Sequence, residues 1–232
     1  LTGNLFSALF GHFPNLVTIR GDRYREPLRF IASLERVLEL EPEMLLTGHH
    51  GPVVGKETIR EELTRLRDAV RYVHDETVKG MNQGKDVHTL MREIAPPPEL
   101  EVGEGYGKVS WSVRAIWENY AGWFHHSSTT ELYAVPQKSV HPDLVDLAGG
   151  ASAIAARAAA KLSDGEAVQA IHLAEVALGA EPKNIPALEV MISAHETLES
   201  QSKNFWLTQW LRKQLADLRA TLRAGPAQEN HS

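Results

Sequence analysis

The residues best suited to chemistry lie in Met44-Leu45-Leu46-Thr47-Gly48-His49-His50-Gly51-Pro52, where a short apolar run ends in a glycine and two imidazoles follow at once. Neutral imidazole nitrogen is a common metal ligand, and a tight loop at the mouth of a buried strand is where a metal-hydrolase site places one. Adjacent loop residues point in different directions. His49 is therefore read as a metal ligand, and His50 as a neighbouring or substrate-facing ring that serves as the alternative ligand. A hydrogen-bonded turn histidine is the plainer reading of either. A second candidate, Arg20, closes Asn15-Leu16-Val17-Thr18-Ile19-Arg20-Gly21. Its planar guanidinium suits a sulfate, phosphate or carboxylate, and an ion pair with Asp22 or Glu26 is the competing reading. His125-His126 follow Trp123-Phe124 at a helix end, where structural capping accounts for them better than metal binding. His12, His74, His88, His172 and His195 stand singly and are read as core, surface or capping residues.

The elements that must position these residues change character along the chain. Residues 1–55 read as α/β: a β-branched run at 16–19, a helix over 25–40 with Pro27 in its first turn, and a strand over 44–47. Two strands make no stable sheet alone, so further strands are expected before Leu1 or from elsewhere. From Lys56 the pattern is helical. Ile59, Leu63, Leu66, Val70 and Val73 form one stripe stopped by Gly80 and Gly84. Val87, Leu90, Met91 and Ile94 form a short helix cut by Pro96-Pro97-Pro98, and Val109, Val113, Ile116, Trp117 and Tyr120 form a third. Trp111, Trp117, Tyr120 and Trp123 recur at helical spacing, as a core or a subunit seam. Residues 137–148 read as a linker, 149–224 as antiparallel helical hairpins, and 225–232 as a disordered tail. Within 149–224, alanines at helix spacing, the Asp164-Gly165 turn and the Pro182-Lys183-Asn184 turn resemble a tetratricopeptide unit. Leu207, Leu211, Leu215, Leu218 and Leu222 align on a closing helix over 205–223.

Composition removes several classes. The 232 residues carry a net charge of −6, with 43% hydrophobic and 23% charged residues, the balance of a globular protein. No basic cluster stands clear of acidic neighbours, which argues against a nucleic-acid partner. No run approaches the ~18 apolar residues of a membrane span. With zero cysteines, any metal must take His, Asp, Glu or water. Cytoplasm and periplasm are not separated by these features. The chain starts at Leu1 rather than a methionine and contains no His-x-His-x-Asp-His cluster, so most of a metal site is expected to lie elsewhere.

Residues 15–21 and 46–55, Arg71-Tyr72-Val73-His74-Asp75, and above all the block 106–123 (Tyr-Gly-Lys-Val-Ser-Trp-Ser-Val-Arg-Ala-Ile-Trp-Glu-Asn-Tyr-Ala-Gly-Trp) resemble the alkyl sulfatase branch of the metallo-β-lactamase superfamily. The resemblance implies a mostly α chain with a small α/β remnant of an αββα fold over 1–55. A helical dimerization domain over 56–136 and the helical hairpins would follow. It implies the C-terminal portion of a zinc-dependent hydrolase that cleaves sulfate esters as a homodimer. By the same resemblance His49 matches a late histidine ligand of a binuclear zinc site, and Arg20 matches the arginine that holds the sulfate. One firm ligand falls short of the ~3 that a catalytic zinc uses, so this chain alone is expected to hold zinc weakly or not at all and to be inactive. The alternative is a non-catalytic helical dimerization or protein-interaction module. Two departures stand out. Relatives often carry an acidic bridging ligand just before the region of Leu5-Phe6, where this chain has Thr2-Gly3-Asn4. After Trp123, where alkyl sulfatases usually continue with an Asp-Gly-Asn-Pro turn, this chain reads Phe124-His125-His126-Ser127-Ser128, which points to a divergent subgroup whose substrate need not be an alkyl sulfate.

Overall fold

The computed structural model describes residues 1–6, 9–17, 19, 21 and 23–224. Among these the chain is mostly helical, with one two-stranded antiparallel sheet. It divides into two compact units, Leu1–Leu132 and Tyr133–Ser232.

The first unit begins with loops that lead into α1 (Pro27–Glu39), whose proline sits where a missing N–H leaves no gap in the hydrogen-bond ladder. Strands β1 (Met44–Leu45) and β2 (Val53–Val54) follow, with Met44 opposite Val54 and Leu45 opposite Val53. The long helix α2 (Lys56–Asn82) buries Ile59, Leu63, Leu66, Val70 and Val73, the stripe that the 3.6-residue period demands. The helix runs through Gly80 and stops before Gly84, which turns with φ 74°. Gly80 serves packing instead: a Cβ there would lie 2.2 Å from Leu90 Cδ2 of α3 (Val87–Glu93). Asp86 caps α3 by accepting from Thr89 N at 3.0 Å. After a 3₁₀ turn at Pro98–Leu100 comes α4 (Val109–Ala121). One hydrophobic core unites these parts, with Phe6, Phe13 and Leu45 packed together with Leu63, Val70, Val113 and Trp117.

The run at 16–19 is not a strand among its described residues, which corrects the sequence expectation. Leu16 and Val17 lie in a bend and Ile19 in a turn; Thr18 is outside the described residues. A strand is held by a neighbour's ladder, and no strand pairs with this run among the described residues. Leu16 is nonetheless buried. The second strand of the hairpin, β2, gave too short a signal to be read from sequence.

The second unit opens with a 3₁₀ turn (Gln137–Val140) and α5 (His141–Leu147). The stretch 137–148, read as linker, is thus ordered structure with Val145 buried. Helices α6 (Ala151–Ser163), α7 (Ala167–Ala180) and α8 (Ile185–Gln201) then pack on one another, and α9 (Phe205–Ala224) packs on α8. Their contacts are lined by Ala155, Ala158, Ala170, Ala174, Ala177, Ala187 and Ala194, all buried. Small side chains let helix axes approach closely, as the alanine spacing required. Gly165 (φ 82°) makes the α6–α7 turn, and Asn184 caps α8 by accepting from Ala187 N at 3.1 Å. The expected tail, 225–232, lies outside the described residues.

Candidate functional site

His49 and His50 occupy the tip of the β1–β2 hairpin and are both exposed. The loop is held from one side by the start of the chain: Thr2 N donates to Leu46 O at 2.9 Å, and Gly48 N donates to Gly3 O at 2.8 Å. Gly3 and Thr47 form a parallel bridge. The approach is so close that a Cβ on Gly48 would lie 2.0 Å from Asn4 Oδ1. A side chain here would have to displace the Asn4 amide, which lies over the glycine. At the tip, the Thr47 hydroxyl donates to the His49 carbonyl and His50 takes a left-handed conformation (φ 62°), so the chain reverses between the two imidazoles. The structure brings Asn4 and the histidine loop together, although they are separated by more than forty positions in sequence.

Among the described residues no group of three or more His, Asp or Glu side chains converges on a metal position. His49 and His50 offer at most part of a ligand set, short of the ~3 protein ligands of a catalytic zinc. Arg20 lies outside the described residues. The segment around it is tied at its base: Arg25 N donates to Leu16 O at 2.8 Å and the Arg25 guanidinium donates to Asn15 O at 3.1 Å. Beside this segment lies a cleft of about 470 Å³ lined by Asn4, Asn15, Tyr24, Arg25, Arg29 and Ser33, among others. Asn15 is buried, and its side-chain oxygen has no hydrogen-bond partner among the described residues.

A polar network that sequence reasoning missed joins the same segment to α4. The Tyr24 hydroxyl donates to one carboxylate oxygen of Glu118, and Arg114 Nε donates to the other at 2.7 Å. That second oxygen also faces His125 Nε2 at 3.3 Å. On its other side His125 meets Glu131, through its backbone N–H at 2.9 Å and through Nδ1 at 3.1 Å. Ser127 Oγ donates to the remaining Glu131 oxygen at 2.9 Å. The His125 ring lies 5.4 Å from that of Trp117. His125 thus bridges two carboxylates, whereas the sequence reading has it capping a helix end. Burial alone would push the Glu118 carboxyl up; the hydrogen bonds from Tyr24, Arg114 and His125 together outweigh it and hold the group below the ordinary glutamate value. The same bond raises Tyr24, since its ionised form would lose the donor and face a carboxylate. Glu131 is lowered, first by the His125 backbone N–H.

Two further histidines are tied into the fold. His12 Nδ1 accepts from Gly105 N at 3.1 Å, and its ring lies so close to Gly103 that a Cβ there would clash. His74 is buried, with Nδ1 2.7 Å from Asp75 Oδ1 and Nε2 2.8 Å from the Tyr120 hydroxyl. Of the aromatic series, Trp117 belongs to the core while Tyr120 and Trp123 remain exposed, Trp123 by 65%. The Trp111 ring carries the Lys108 ammonium 5.9 Å from its centre.

Comparison with known proteins places these features in context. The family model for alkyl sulfatase dimerisation matches residues 87–221. A linear primary-alkylsulfatase of Pseudomonas is 29% identical over 221 residues, which cover 93% of this chain and 42% of that protein. The alkyl/aryl-sulfatase BDS1 of Saccharomyces cerevisiae is 27% identical over 207 residues, 86% of this chain and 32% of its own length. Among solved structures, a double mutant of the sec-alkyl sulfatase PisA1 superposes with a TM-score of 0.84 at 25% identity, covering 91% of this chain and 34% of that one. The stereoselective inverting sec-alkylsulfatase Pisa1 from Pseudomonas has the same fold, with a TM-score of 0.85 at 24% identity over 94% of this chain and 36% of its own. The chain thus spans about a third to two fifths of the length of these relatives.

Proposed function

The chain belongs to the alkyl sulfatase dimerisation family, and from that premise we propose that the protein carrying it hydrolyses sulfate esters as a zinc-dependent homodimer. The observation that carries the proposal is the alignment of nearly the whole chain, histidine loop included, with alkylsulfatases. The clamped hairpin tip supports His49 as one zinc ligand, with His50 beside it as the alternative. Zinc, when bound, supplies a Lewis acid and an activated water. This reading needs further ligands beyond the described residues. Arg20 would hold the sulfate by two parallel hydrogen bonds. Residues 1–55 would form part of the hydrolase domain and 56–136 the dimerization domain. The exposed Tyr120 and Trp123 would supply apolar surface to the dimer. The alanine-lined helices α6 to α8 are read as tetratricopeptide-like hairpins.

The test is made on the full-length protein, by zinc content per protomer, mass by light scattering and hydrolysis of a linear primary alkyl sulfate. His49→Ala should lower zinc first and activity as a consequence. Arg20→Lys keeps the charge but loses the fork, so it should raise KM, or lower kcat/KM, with zinc intact. A wild-type protein that dimerises but binds no zinc and cleaves no sulfate ester would replace this reading with that of a non-catalytic dimerization module. The single observation favouring that second reading is the lack of a converging ligand set among the described residues.

A further inference from the structure

We infer that Glu118 is a positioning residue: through Tyr24 it latches the 16–25 segment, which contains Arg20, onto the end of α4. The inference rests on the sulfatase reading for what the segment does, and on geometry for how it is held. The backbone bond from Arg25 to Leu16 closes the segment at its base. Tyr24, next to that closing bond, reaches across to Glu118, ninety-four residues later, so the bond joins parts of the chain that nothing in local sequence brings together. The acceptor is itself fixed. The Glu118 side chain is only 10% exposed and is held by Arg114 from the same helix and by His125 from the turn that follows. That turn is fixed in its own right, because Glu131 takes the His125 backbone N–H, the His125 ring and Ser127 together. A carboxylate aimed by two neighbours has lost its rotamer freedom before Tyr24 binds it, which makes the tyrosine bond stronger than one to a mobile side chain. In the turn that carries His125, His126 takes a left-handed conformation (φ 57°), and its ring packs 4.6 Å from that of Phe124.

Hydrogen exchange on the zinc-loaded full-length protein tests the latch without reference to activity. Tyr24→Phe and Glu118→Ala should each speed exchange of the 16–25 amides by about tenfold, the size expected for losing one hydrogen bond to a charged group. The double variant should go no further than either single one, because both remove the same bond. Glu118→Gln keeps an acceptor for Tyr24 and should leave the segment near its wild-type protection. Glu131→Ala should loosen 125–131 first. Amides of α2 should not change in any variant. In the activity arm, Tyr24→Phe should raise KM for an alkyl sulfate several-fold with kcat and zinc content held, since what is disturbed is the placement of the anion-binding segment. Unchanged protection of 16–25 in Tyr24→Phe and Glu118→Ala, or loosening of α2 together with the segment, overturns the inference. Altered protection in a protein that cleaves no sulfate ester upholds the latch and removes the sulfatase reading alone.

Discussion

In the first unit, large side chains from distant stretches share one core: Phe6 and Phe13, near the start, meet Leu63 and Val70 of α2 and Trp117 of α4. In the second, the contacts are made by alanines from helices that follow one another, such as Ala158, Ala170 and Ala174 beside Met191. The two solutions have different consequences. A core of bulky side chains joined across long loops can hold irregular segments, such as the histidine hairpin, in defined positions. Alanine seams leave little room for irregularity, because the helix backbones themselves are nearly in contact. Residues proposed to meet substrate and metal fall in the first kind of region, where loops are cheap to vary and a rigid frame can aim them.

The contrast can be broken from either side by changing side-chain size. Leu63→Ala removes a fully buried residue from the first core and leaves a cavity that helices on a crowded frame cannot close. It should cost about 3 kcal/mol, read as a lowered denaturation midpoint with an unchanged slope. In the second unit the damaging change runs the other way. Ala174 has no exposed surface, so Ala174→Leu must push α7 away from its neighbours and should cost about 2 kcal/mol. If Ala174→Leu proves neutral while Leu63→Ala does not, the seam is looser than its alanines imply and the two regions differ little in how tightly they pack.

The same contrast explains what could be read from sequence. Helix α2 was legible because its stripe of Ile59, Leu63, Leu66, Val70 and Val73 is a local periodic signal. The hairpins α6 to α8 were legible because alanine spacing, Gly165 and Asn184 are local too. What escaped is non-local. The run at 16–19 has strand-like residues, yet a strand depends on a partner that the run itself does not encode. Gly48 announces a tight place but not that Asn4 fills it, and nothing around Tyr24 names Glu118. His49 could be singled out from its loop, whereas the clamp that steadies that loop could not. Linker-like composition at 137–148 hid α5, a helix of seven residues whose burial rests mainly on Val145.

A smaller effect sharpens the comparison at a single turn. Gly165 joins α6 to α7 with φ 82°, a conformation that a side chain disfavours, while open space surrounds the position where a Cβ would stand. Gly165→Ala should therefore cost only about 1 kcal/mol, from backbone strain alone. Gly107, in the first unit, has no such freedom, because a Cβ there would lie 2.2 Å from the Pro14 carbonyl oxygen. Gly107→Ala should lower the melting temperature further than Gly165→Ala, and equal shifts would show that the close approach at Gly107 relaxes easily.

The smallest effect expected is a pH dependence confined to the first unit's network. Hydrogen bonds hold Glu118 below its ordinary value against the opposing effect of burial, so the folded state favours the carboxylate more than the unfolded chain does. The stabilisation that follows is present above the ordinary glutamate range and is lost as the pH falls through the folded-state value. Glu118→Gln cannot titrate. The melting temperature of wild type minus that of Glu118→Gln should be steady near neutrality and shrink as the pH drops below the usual carboxylate range. Glu131, also lowered, contributes with the same sign in both proteins and largely cancels in the difference. Tyr24 acts at the other end: its raised value means stabilisation that is complete below the ordinary tyrosine value and disappears as the pH climbs through the folded one. The variant, which keeps only a neutral acceptor, should lose less there than wild type. No carboxylate network of this kind joins the alanine helices of the second unit among the described residues, so a variant such as Ala174→Leu should shift the melting temperature by a similar amount at every pH. A difference curve for Glu118→Gln that stays flat from neutral pH into acid would mean that the network holds no preference for the charged carboxylate, and the contrast between the two regions would then rest on packing alone.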